Sequence, residues 1–152
     1  MSVINQLSER IKSFNEQLES GALLSDIVLE NEALIVDMNA ENQLYESGEN
    51  ALGVSIADYQ PYSPVTIQIK ELKGQPTNRV TLRDEGDFES SFYIEVGDKS
   101  FEIKASDFKT EDLIKKYGRQ IMGLNAENKA VLVWEYIYPA VVEKLRQTLN
   151  KE

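Results

Sequence analysis

Val80-Thr81-Leu82-Arg83-Asp84-Glu85-Gly86-Asp87-Phe88-Glu89-Ser90-Ser91-Phe92-Tyr93 opens on a β-type burst, breaks at an acidic turn and closes on aromatic, β-prone residues. Val80 to Leu82 reads as a short strand. The turn falls at Gly86, whose missing Cβ permits positive φ. The residues after it lead into a hairpin. Long helical patterns lie on both sides, so the packed centre is expected here.

Downstream, Phe92 to Val96 and Ser100 to Ala105 are joined by Gly97-Asp98-Lys99, a β-hairpin pattern. In the second strand Phe101, Ile103 and Ala105 share one face, and Glu102 and Lys104 the other. Upstream, Gly74-Gln75-Pro76-Thr77-Asn78 marks a turn or exposed loop. Before it, two cues conflict. Ser63 with Pro64 behind it is a helix-start signal. Yet Val65-Thr66-Ile67-Gln68-Ile69 alternates apolar and polar, as a strand does. On the residues alone, 64–73 is helix or strand.

Several of these residues also fall into one ordered pattern: Tyr62-Ser63-Pro64-x-Thr66, Lys70, Lys73-Gly74-Gln75-Pro76, then Val80-Thr81-Leu82-Arg83-Asp84-x-Gly86-Asp87-Phe88-x-x-Ser91-Phe92. The pattern resembles the signature of virion-morphogenesis (tail-completion) proteins of tailed phages, over roughly Gln43 to Leu124. Two positions depart from it. Glu85 stands where a Thr is usual, and Phe88 where an aliphatic residue is usual. The resemblance implies a short helix after Ser63, ended by Gly74. It implies a structural virion protein of the head–tail joining kind, acting in a ring of its own copies against neighbouring portal, connector or tail proteins. It implies localisation in the virion after assembly in the host cytoplasm.

Composition narrows the chemistry. The 152 residues suffice for one domain with a core. Cysteine and histidine are both absent, which removes disulfides, thiol catalysis, the usual zinc ligands and the usual general base. No apolar run reaches the roughly 18 residues of a membrane span, and the N-terminus does not read as a secretion signal. Net charge is −10, and residues 1–60 carry −9 of it, with eleven carboxylates against Arg10 and Lys12. An acidic half disfavours nucleic acid and suits a basic protein partner. No cofactor or metal is expected.

The flanks read as helices. Ser2 caps the first, whose apolar positions Ile4, Leu7, Ile11, Phe14 and Leu18 step by three and four to a stop at Gly21. Two readings stay open, packing on its own domain and an arm on a neighbouring subunit. Ser25 or Asp26 starts a second, acidic helix ending near Gly48. Its carboxylates form a row, which suits a solvated face better than a metal site. Thr110 to Tyr117 forms a short helix stopped by Gly118, and Asn125 caps the last. Pro139 inside that helix predicts a kink between Glu135 and Pro139. Trp134, Tyr136 and Tyr138 read as core and interface packing.

The expected fold is a single α+β domain over 1–152: a small antiparallel sheet flanked by long N-terminal helices and a kinked C-terminal helix. Within it, 1–48 is the acidic helical part, 49–124 the α/β core with hairpin 92–105, and 125–152 the C-terminal helix. No residue stands out as catalytic. Tyr62, Ser63, Pro64, Arg79, Arg83, Gly86, Phe88 and Trp134 are the candidate interface and turn residues. Arg79 and Arg83, with Lys70 and Lys73, form the chain's one modest basic group, suited to an acidic surface of an adjacent subunit. Two rival functions remain. One is an acidic decoy for a basic, nucleic-acid-handling host protein. The other is a small glycan hydrolase using carboxylates among Asp84, Glu85, Asp87 and Glu89.

Overall fold

The computed structural model describes residues 2–151 and gives an α+β fold, mostly helical, with one two-stranded antiparallel sheet. Helix α1 (Val3–Glu19) begins where Ser2 Oγ accepts a hydrogen bond from the Asn5 N–H. The chain reverses at Gly21, and α2 (Ala22–Glu30) starts at once. This corrects the expected start at Ser25 or Asp26. The turn itself supplies what a capping side chain would: the Ser25 N–H donates to the Gly21 carbonyl, and the Ala22 N–H to Ser20 Oγ.

The second helical run is also interrupted. Asn31 leaves helical geometry at φ −104° and ψ 15°, and its side chain donates to the Ile27 carbonyl. Helix α3 (Glu32–Asp37) resumes and passes into a π-helical segment (Met38–Ser47) that ends at Gly48. Helix α4 (Pro64–Leu72) resolves the conflict at 64–73 in favour of helix, with Ser63 Oγ accepting from the Thr66 N–H at 3.2 Å. The alternating pattern misleads there because most of α4 faces solvent, so burial does not sort its residues.

The expected strand at Val80 to Leu82 does not form. Residues 80–83 run without a partner strand, because side chains take their backbone groups: the Thr81 N–H donates to the Tyr62 hydroxyl, and the Arg83 carbonyl accepts from Lys70. Gly86 makes the expected turn at φ 90°, but a helical turn follows it, α5 (Asp87–Ser90). The Ser90 N–H closes on the Gly86 carbonyl, and Phe88 swings inward to meet the Phe92 ring edge-on at 4.9 Å.

Strands β1 (Phe92–Val96) and β2 (Phe101–Ala105) pair as read, with Ile94 opposite Ile103. Helix α6 (Thr110–Tyr117) stops at Gly118. Helix α7 (Ala126–Val131) is capped by Asn125, whose Oδ1 accepts from the Asn128 N–H. The helix continues through α8 (Tyr138–Leu149). Between them, over Leu132–Ile137, its ladder widens to π geometry just before Pro139, where the missing N–H deprives Glu135 of its partner.

The main core packs Val28, Ile35, Met38 and Leu44 of the second helical run against Phe88, Ile94, Ile103, Ile121 and Leu132. Each such side chain contributes about 1.5–3 kcal/mol by burial. A smaller cluster seats Phe14, Leu23 and Ile27 against Val141 and Leu145 of α8. The α1 seam therefore divides. Phe14 and Leu18 pack on the chain's own last helix, while Ile4, Leu7 and Ile11 remain exposed. Among the described residues no helix is long and apolar enough to cross a membrane.

Candidate functional site

The stretch 78–91 lies as a strap over the acidic second helical run. Arg79 donates from Nε to the Tyr45 carbonyl at 2.6 Å. Arg83 forks onto the Glu41 carboxylate at 2.5 and 3.2 Å and lies over the Tyr45 ring, 4.1 Å from its centre. Glu41 and Tyr45 stand four residues apart on one helix face, so the two arginines grip adjacent positions of one stripe. From the other side Lys70, buried between Tyr62 and the strap, donates to Gln75 Oε1 and the Arg83 carbonyl. Lys73 meets Asp84 at 2.6 Å. Between these ties Leu82 is held at φ 61°, the left-handed region that costs a non-glycine residue about 1 kcal/mol or more.

The basic group is thus occupied within the chain. Lys73 pairs with Asp84, Arg79 donates to the Tyr45 carbonyl, and Arg83 pairs with Glu41 of the acidic N-terminal half of the same chain. Reversing Arg79 and Arg83 would therefore test folding before it tested assembly.

A groove of about 480 Å³ opens between this strap and the second helical run, lined by Val36, Asp37, Glu41, Arg83, Glu85 and Glu89. Glu89 sits at its base, only 4% exposed. Arg83 Nε lies 3.5 Å from Glu89 Oε1, a Coulombic contact too long to satisfy the carboxylate, and neither oxygen has a hydrogen-bond partner. Burial raises the Glu89 pKa against the lowering pull of its own backbone and Arg83. Asp84 is shifted the other way, lowered by its hydrogen bond to Lys73. The four carboxylates read as one acidic turn are thereby separated. Asp84 is paired, Glu85 and Asp87 face solvent, and Glu89 alone is buried.

A carboxyl whose folded pKa is raised stabilises the fold when protonated, below its unfolded pKa near 4.3, and loses that contribution as pH climbs through the folded value. Glu89→Gln is therefore expected to unfold later than the parent in urea at pH 7, by about 1 kcal/mol, the order of one stranded buried polar group. The gap should close as pH is lowered towards 4. Equal midpoints at both pH values would show that Glu89 is satisfied in solution.

The remaining candidates are dispersed. Tyr62 lies under the strap, with its hydroxyl at Thr81. Ser63 and Pro64 serve as the α4 cap. Gly86 and Phe88 shape the turn and the core. Trp134 corrects the core reading: it is 67% exposed, and its ring touches that of Tyr138 at 5.8 Å.

Sequence reasoning missed a buried amide brace. Asn39 donates to the Ile121 carbonyl and accepts from the Gly123 N–H; Gln43 donates to the Gly123 carbonyl and accepts from the Asn125 N–H and from Asn128 Nδ2. The signal is the spacing of Asn39 and Gln43, uncharged amides four apart on an acidic helix.

Comparison of the chain with protein-family models, with curated proteins and with solved structures returned no match.

Proposed function

We propose that the chain is a structural component of a tailed-phage particle, a tail-completion or head–tail connector protein that works by contact with its own copies and with neighbouring portal, connector or tail proteins. The observation that carries the reading is the outer face of α4, inside the signature-bearing region. Val65, Ile69 and Leu72 are 65%, 48% and 89% exposed and fall at i, i+4 and i+7, one apolar stripe facing water. Ile4, Leu7 and Ile11 of α1 and Trp134 with Tyr138 add exposed apolar surface elsewhere. Apolar surface arranged in stripes marks contact with protein. A closed ring follows by analogy with the family that the signature resembles.

Deleting the gene is expected to leave filled heads and free tails that do not join, and mass spectrometry of purified particles should find the chain in them. Tailed, infectious particles from the deletion would end this reading.

One observation favours a second reading, carboxylate-dependent glycan hydrolysis: Glu89 is buried at the base of a groove with its pKa raised, as a general acid needs. Arg83 argues for a structural role instead, since it spans Glu41 and Glu89 and holds its charge between them. Glycan release by the parent that disappears in Glu89→Gln would establish the second reading. Absence of release by the parent retires it.

A further inference from the structure

The two outer edges of the hairpin are treated differently. In the antiparallel register, Ser106 donates to the Ser91 carbonyl and Gly97 to the Ser100 carbonyl. Hydrogen-bonded pairs alternate from these anchors, so Tyr93 with Lys104 and Glu95 with Glu102 exchange bonds, and Ile94 with Ile103 does not. The N–H of Ile94 therefore points away from β2, and there the Glu32 carboxylate of α3 accepts it at 3.1 Å. The edge of β1 is capped by a helix. By the same parity Phe101, Ile103 and Ala105 direct their N–H and C=O groups outward from β2. Among the described residues none of the three has a hydrogen bond on that side. All of β2 instead lines an open groove of about 760 Å³, whose far wall is Leu132, Val133 and Ile137 of the C-terminal helix.

A free edge above an apolar groove takes another strand, and the sequence of β2 identifies which one. Place a two-fold axis beside Ile103, perpendicular to the sheet and midway between two paired β2 strands. Ile103 then faces Ile103 of a second copy, Phe101 faces Ala105, and Glu102 faces Lys104. Every pair is complementary: apolar to apolar, large to small, acid to base. The parity also fits. Phe101, Ile103 and Ala105, whose backbone groups are free, are the residues that become hydrogen-bonded pairs in this register, each pair exchanging two bonds. Because the axis is perpendicular to the sheet, the inward faces of both copies stay on the same side. A lysine on an edge strand usually deters such pairing. Here Lys104 meets an acid, so the deterrent is cancelled for this one partner.

We infer that β2 is a self-pairing edge: two copies of the chain join antiparallel through Phe101 to Ala105 into one four-stranded sheet, closed by a two-fold axis at Ile103. The inference stands apart from the virion reading, since a chain that never enters a particle can still pair, and a particle can hold the chain through α4 alone.

Charge swaps test it by sedimentation equilibrium near 0.15 M salt, where repulsion between two chains of charge −10 is screened beyond about 8 Å. The parent is expected at twice the 17.3 kDa chain mass at high concentration. Glu102→Lys sets base against base across the axis, and Lys104→Glu sets acid against acid, so each alone is expected at the single-chain mass. Glu102→Lys keeps the Lys104–Glu95 contact within the chain, so its circular dichroism should match the parent's. Mixed in equal amounts, the two variants regain both complementary pairs, and the doubled mass is expected to return. A parent that stays single at its highest soluble concentration overturns the inference. So does a Glu102→Lys variant that still doubles, or a mixture that does not.

Discussion

Gln43→Ala is expected to cost roughly 4 kcal/mol of folding stability, the largest single loss available at a polar position of this chain. Gln43 is fully buried. Its amide donates to the Gly123 carbonyl at 2.9 Å and accepts from the Asn125 N–H at 2.8 Å and from Asn128 Nδ2 at 2.9 Å. Truncation strands these partners away from water, at about 1–3 kcal/mol each where no relay replaces the bond. Asn128 is partly protected, since its Nδ2 also reaches Asn42 Oδ1 and the Met38 carbonyl. The vacated volume adds a cavity term. Gln43→Leu restores the volume but not the bonds, so it separates the two contributions. Urea unfolding should show the midpoint falling by about 2 M for a typical slope. Gln17→Ala, on the exposed face of α1, is the control and should stay within about 0.5 kcal/mol of the parent. A loss at Gln43 as small as the control's would mean that water takes the place of the amide.

Gly21→Ala comes next, at about 3 kcal/mol. The residue sits at φ 82°, where an L side chain costs about 1–2 kcal/mol. A Cβ added there would also collide with the backbone carbonyl oxygen of Asp98, in the turn of the hairpin. Backbone cannot rotate aside as a side chain can, so the α1–α2 turn and the hairpin tip must part, at a further cost of about 1–3 kcal/mol. Gly53→Ala is the matched comparison. Its φ is 71°, but nothing lies within 4 Å of the added carbon, so only the conformational cost remains. Thermal unfolding should order the chains parent, Gly53→Ala, Gly21→Ala. Equal losses at the two glycines would place the hairpin tip clear of the α1–α2 turn.

What the sequence disclosed depended on whether local chemistry or distant partners decided each segment. Ser2, Ser63 and Asn125 announce helices because a cap is satisfied within three residues, and each accepts the bond expected of it. The hairpin is equally local. Val80 to Leu82 reads as a strand because strand propensity records how a side chain fits a sheet, not whether a partner strand exists. Here Tyr62 and Lys70, from elsewhere in the chain, take the backbone groups that a strand would have used. The break at Asn31 escaped because a single Asn in an acidic, periodic run is a weak signal. Asp87 to Ser90 read as the approach to a strand because Phe88 is β-prone, whereas Gly86 in the left-handed region turns the chain into a helix. Arg79 and Arg83 were legible as charges with a use. That Arg83 meets an acid of its own chain requires knowing that residue 83 lies over residue 41.

The brace around Gln43 also fixes when the protein can fold during its synthesis. The groups that Asn39 and Gln43 require are 80 to 85 residues further along. Helix α1 leans on α8, which is made long after it. At about 5–20 residues per second, a ribosome needs roughly 4–16 seconds to deliver those partners. Throughout that interval the nascent first half carries Ile27, Ile35 and Leu44, all fully buried at the end, without the Ile121, Leu132 and α8 side chains that complete their cover. Chaperone capture of the growing chain, and aggregation of any prematurely terminated product that lacks α8, follow from that order of delivery.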